Sequence, residues 1–141
     1  MINFLIPLHP KLVHFPIALF MTALIFEVLS RLLKRDALYQ AAVIVYCFGA
    51  LLTPVIVYTG LWEQMRIHLN HPVLTQHKSL GLLTMWISWV SLLILWILNR
   101  RQPKLFRTAF FVFLMFVNVT TILTAHYGGK MVYEYAVGVT I

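Results

Sequence analysis

The residues of this sequence best suited to chemistry are its six histidines, His9, His14, His68, His71, His77 and His126. Only four carboxylates are available to pair with them. The first two histidines sit in "HPKLVHFP", with Pro10 directly after His9 and Pro16 two residues after His14. A neutral imidazole is the commonest metal ligand among side chains near pH 7. His14, His77 and His126 lie within long apolar runs, where a polar ring must find a partner. Glu63 and Glu134 are the nearby acids, so a metal or a haem iron is the expected partner. His9 and His71 are the weaker candidates of the same set. His68 reads as an amphipathic interfacial residue, like tyrosine or tryptophan.

Haem b is the first cofactor this pattern suggests. Bis-histidine ligation needs two histidines on different helices and an apolar, aromatic-walled space. His14 with His77, or His77 with His126, would supply the pair. His9 and His71 would allow a second haem. Phe15, Tyr58, Trp62, Trp86 and Tyr127 stand near that level, and Lys11, Lys78 and Lys130 could receive propionates. Copper or zinc held by His14, His77 and His126 is the rival. The H-x4-H and H-x5-H spacings match no zinc pattern, and no HExxH is present. Met65 and Met131 are soft donors that suit Cu(I), though packing is their commoner use. No catalytic residue stands out. A redox role would be electron transfer rather than hydrolysis.

These side chains need elements to hold them. The chain has 141 residues, 61% hydrophobic and 11% charged, with a mean hydropathy of +0.86. A soluble domain of this size cannot hide so much apolar surface, so the lipid bilayer is the expected solvent. Four runs are long enough to span it, at about 12–33, 38–61, 77–98 and 105–127. The connections KRDA and NRRQPK are short, so neighbouring helices run antiparallel. The fold expected is all-α: one integral-membrane, up-down four-helix bundle, as a single domain. In the longer middle connection, His71–Pro72 is expected to end a short interfacial helix. Gly128–Gly129 is expected to cap the fourth helix, with the tail 128–141 folding back on the bundle.

Charge sets the expected orientation. Arg31, Lys34, Arg35, Arg100, Arg101, Lys104 and Arg107 cluster at the short turns, against Lys11, Arg66, Lys78 and Lys130 at the other ends. Seven against four puts the short turns in the cytoplasm of a bacterial inner membrane. Both termini and all six histidines then face outward, into the periplasm. The net charge of +7 belongs to this asymmetry and not to nucleic-acid binding. Cys47 is the one cysteine, which excludes an internal disulfide and a CxxCH haem attachment. No basic n-region precedes the first span, so that span is expected to direct insertion itself, without cleavage. Glu27 stands four before Arg31 and is read as its ion-pair partner. Thr53–Pro54 should kink the second span. Asn118 should bond across helices, and Gly81, one turn after His77, should let a flat ring or helix approach.

"HPKLVHFPIAL" at 9–19, "HKSLG" at 77–81 and "GGKMVYEYAVGV" at 128–139 together resemble the bacterial membrane family DUF2231 (domain of unknown function 2231). The resemblance runs over essentially the whole chain. It implies a four-span bundle with motif residues gathered at one membrane face. Some relatives occur beside cytochrome-like domains, which favours haem. Tyr135 and Ala136 stand where the family pattern has histidine and glycine, so the tail departs from it. The first functional expectation is a small b-type membrane cytochrome with one or two haems in the outward half, exchanging electrons with a quinol or a membrane redox partner. The second is a non-haem copper- or zinc-binding membrane protein that handles or senses its metal. The third is a structural or assembly subunit. The sequence leaves a homo-oligomer open.

Overall fold

A long apolar helix in lipid gains little from burying more apolar surface, so bundles form where small and polar side chains let helices meet. The sequence places such residues in a regular stripe. In the first span the buried positions are Pro16, Phe20, Ala23, Glu27 and Ser30; in the second they include Ala42, Tyr46, Gly49, Thr53 and Ile56. In the third they include Thr84, Ser88, Ser91 and Leu95, and in the fourth Phe110, Leu114, Val117 and Thr121. Steps of four and three alternate along each helix. This is the seven-residue repeat of helices that wrap around one another along a continuous seam.

The computed structural model describes residues 8–67, 71–101 and 103–136. His68 and the tail beyond Ala136 lie outside the described residues. The elements are α1 (Leu8–Leu12), α2 (His14–Leu33), α3 (Asp36–Ile67), α4 (Pro72–Arg101) and α5 (Pro103–Tyr133). Four helical stretches, the first joining α1 and α2, are long and apolar enough to cross a membrane. The fold is the all-α four-helix membrane bundle. α2 packs on α3, α3 on α4, α4 on α5 and α5 back on α2, while α1 lies against α3. The outer faces are apolar, with Phe15, Leu32, Phe48, Trp86 and Phe116 exposed, as lipid contact requires. Inside, most of the serine and threonine hydroxyls bond a carbonyl of their own helix. Thr53 Oγ1 donates to the Ala50 carbonyl at 2.7 Å, Ser88 to Met85 at 2.8 Å and Thr84 to Leu80 at 2.9 Å.

Three boundaries differ from the expectation. The first described helix already spans Leu8–Leu12, so His9 lies inside a helix rather than ahead of one. Pro16 lacks the N–H that Leu12 would receive, and the helix breaks between α1 and α2 at Val13. His71–Pro72 opens α4 instead of ending a helix. Pro72 takes the first helical position, which suits it, and His71 Nδ1 accepts the Val73 N–H at 3.2 Å. α3 runs on through Pro54. The Ala50 carbonyl, deprived of its usual donor, accepts Thr53 Oγ1 at 2.7 Å and Trp89 Nε1 from α4 at 3.0 Å instead. α5 likewise continues through Gly128–Gly129 to Tyr133. Those glycines do not cap it; the first of them serves the site described next.

Candidate functional site

At the end away from the short turns, two histidines on the seam meet. His9 stands seven residues before Pro16, and His77 seven before Thr84, so each continues its helix's buried stripe. Their ring centroids are 6.1 Å apart and their planes are nearly perpendicular, at 82°. Each ring is anchored at Nδ1. His9 Nδ1 is 3.0 Å from the Ile56 carbonyl oxygen and 3.3 Å from Thr59 Oγ1. His77 Nδ1 is 2.9 Å from the Thr124 carbonyl oxygen. A carbonyl can only accept, so both nitrogens are the protonated ones. In the neutral rings this leaves the Nε2 lone pairs available. Metal-binding histidines are commonly prepared in this way, with the second ring nitrogen donating to a fixed oxygen.

The two anchors are built alike. One turn after Ile56 stands Gly60, and one turn after Thr124 stands Gly128. A Cβ on Gly60 would lie 2.8 Å from His9 Cε1, and one on Gly128 would lie 3.1 Å from His77 Cε1. In both helical hairpins, α1–α3 and α4–α5, the ring bonds a carbonyl and rests on the bare backbone four residues later. The spacing repeats as well, since the step from position 9 to 60 equals that from 77 to 128. The first hairpin adds a carboxylate. Glu63 Oε1 accepts the His9 backbone N–H at 2.9 Å, satisfying a donor that the first turn of a helix leaves without a partner.

The remaining candidates lie elsewhere. His14 is exposed on the outside of α2, and His126 is exposed beside Tyr127, ring centroids 5.6 Å apart. His71 packs against Tyr135 at 4.4 Å. The ring that meets His77 is therefore that of His9. Heptad phase carries the signal that separates them: positions 9 and 77 fall on the buried stripe, whereas 14 and 126 fall beside it. Among the described residues, no three of the His, Cys, Asp and Glu side chains form a group that could hold a metal ion. Phe15, Tyr58, Trp62 and Trp86, expected to wall a cofactor, are exposed. A Cβ on Gly81 would meet Thr124 Cγ2 at 3.8 Å, an ordinary contact, so that glycine makes no close approach. Asn118 does bond across helices, donating to the Phe20 carbonyl at 3.1 Å.

The family model of DUF2231, described as a predicted membrane protein, matches residues 5–141, and the chain belongs to this family. Neither a curated protein nor a solved structure matches it.

Proposed function

We propose that this member of the DUF2231 family holds one metal centre between Nε2 of His9 and Nε2 of His77, and uses it for one-electron chemistry at the histidine end of the bundle. The matched anchoring of the two rings carries the reading. A metal bonds each imidazole nitrogen at about 2.0–2.1 Å. Two such bonds, with the rings' own width, span roughly the observed separation of 6.1 Å. Two neutral nitrogens suit copper, which as Cu(I) accepts low coordination. Zinc takes four protein ligands in structural sites and three, with a water, in catalytic ones. The positive-inside rule, applied to the short, basic turns, supports a cytoplasmic position for the opposite end in a bacterial inner membrane. The centre would then face the outside, where a quinol or a redox protein could exchange electrons with it.

Haem b is the second reading, and the number of ligands favours it, because axial ligation needs two histidines and no third. The surroundings fit it less well. α3 lies against the His9 ring at Gly60, α5 lies against the His77 ring at Gly128, and Phe15, Tyr58, Trp62 and Trp86 face outward. A porphyrin would require the hairpins to separate.

The test is elemental analysis and an oxidised-minus-reduced spectrum of the detergent-purified protein. About one copper per chain is expected, lost in His9→Ala and in His77→Ala and kept in His14→Ala and His126→Ala. A Soret band with the same mutational pattern would replace copper by haem. Metal-free protein, or occupancy unchanged in both His9→Ala and His77→Ala, would overturn the proposal.

A further inference from the structure

The opposite end of the bundle carries a different site. It is built around Glu27, which is fully buried. Glu27 Oε1 accepts from Arg31 Nε at 2.6 Å and lies 3.7 Å from Arg107 Nε, across on α5. Ser30 Oγ lies 3.1 Å from Glu27 Oε2 and accepts from Arg107 Nη2 at 2.9 Å. Arg31 Nη2 donates to the Arg107 carbonyl at 3.1 Å. Aromatic rings hold the guanidinium planes: Arg31 lies over Phe111 at 4.5 Å and Arg107 over Tyr39 at 4.7 Å. Both arginines are thus fixed before any ligand arrives.

One carboxylate does not serve both of them. Arg107 Nε is buried without a hydrogen bond. Arg31, Arg107, Lys34, Ser30 and Asp36 line an open cleft of about 380 Å³ beside the cluster. Three cations and a hydroxyl therefore face it against a single acid, Asp36, which is 85% exposed and lies 3.7 Å from Arg107 Nη1. Pre-oriented guanidinium groups with an added ammonium recognise phosphate oxygens. We propose that this cleft binds a phosphate group, supplied by an anionic phospholipid of the surrounding leaflet. Depth supports the lipid source. α5 has 31 residues, which at about 1.5 Å each exceeds the roughly 30 Å hydrocarbon core and brings its ends to headgroup level. Leu32 and Leu33, next to Arg31 and Lys34, are exposed and offer a path for acyl chains. Basic pockets between helix ends are a known form of headgroup site.

The experiment is native mass spectrometry of the delipidated full chain in detergent, titrated with phosphatidylglycerol, with phosphatidylcholine and with inorganic phosphate. One retained phosphatidylglycerol is expected, in preference to phosphatidylcholine. Lys34→Gln should weaken it about fivefold, Arg107→Gln should abolish it, and Lys78→Gln at the histidine end should leave it unchanged. If circular dichroism shows Arg107→Gln to be unfolded, Lys34→Gln decides. Saturable binding of inorganic phosphate with no lipid preference would keep the phosphate site and overturn the lipid source. Equal retention of both lipids without phosphate binding, or retention untouched by Lys34→Gln, would overturn the site.

Discussion

The two helical hairpins, α1–α3 and α4–α5, match at one end of the molecule and diverge at the other. At the histidine end they repeat a device: a ring on a carbonyl, with a glycine one turn on. At the far end the repeat is gone. The shift of 68 positions that carries His9 onto His77 carries Glu27 onto Leu95, Ser30 onto Leu98 and Tyr39 onto Arg107. A ligand that sits between two equivalent donors asks for a matched pair. An ionic cluster asks for opposite charges, which equivalent positions of two identical hairpins cannot supply to each other. The matched end therefore suits a centre shared by both hairpins. The unmatched end joins them through Glu27 on one and Arg107 on the other.

Exchanging the residues at one pair of matched positions tests this division. Leu95 is 5% exposed and packs in the apolar core. Leu95→Glu should be the most damaging change, costing about 3 kcal/mol or more, because a carboxylate at that depth has no arginine built around it. Glu27→Leu should cost less, about 2 kcal/mol. That is below the usual figure for breaking a buried pair, since Arg31 and Arg107 are 39% and 36% exposed and retain water. Thermal unfolding of both variants in one detergent measures the order. The reverse order would mean that Glu27 matters more than its surroundings suggest.

The membrane fold was legible in the sequence because apolar length and short basic turns are local signals. Gathering of histidines at one end followed from topology in the same way. The choice among them did not, because depth in an apolar run does not reveal which face of the helix a residue takes. His14 lies deeper in the run than His9, yet the buried stripe 9, 16, 23, 30 passes it by. The helix ends were hidden for a related reason. Pro72 and Gly128 are boundary residues by propensity, but in α5 the glycine answers a ring on the neighbouring helix, a tertiary demand that local sequence does not display. The Glu27–Arg31 pair was legible four residues apart. Arg107, which joins it from another helix, was not.

Glycine substitutions sharpen the matched end, with smaller effects. Alanine gains about 0.5–1 kcal/mol over glycine inside a helix, so any loss must come from the ring. Gly60→Ala should lower metal occupancy most, because a Cβ at 2.8 Å forces the His9 ring to move. Gly128→Ala meets His77 at 3.1 Å and should lower occupancy less, with stability near that of the parent. Gly129→Ala meets nothing within 4 Å and should stabilise α5 by up to about 1 kcal/mol at unchanged occupancy. Equal behaviour of all three would mean that the glycines serve the helices and not the rings.

The smallest expected effect separates the two anchors themselves. His9 Nδ1 has the Thr59 hydroxyl as well as the Ile56 carbonyl, whereas among the described residues His77 Nδ1 has the Thr124 carbonyl alone. Thr59 Oγ1 also donates to that Ile56 carbonyl at 2.8 Å, so it competes with the ring for the same acceptor. Thr59→Val removes the competitor and leaves the carbonyl to His9 alone. The ring nitrogen resonances of the isotope-labelled protein should then still show Nδ1 protonated and Nε2 bare in both histidines, with metal affinity within about threefold of the parent, a change of less than 1 kcal/mol. A switch of His9 to the other tautomer would show that the hydroxyl, and not the carbonyl, had been aiming the ring, and the likeness of the two anchors would then be one of shape without a shared chemistry.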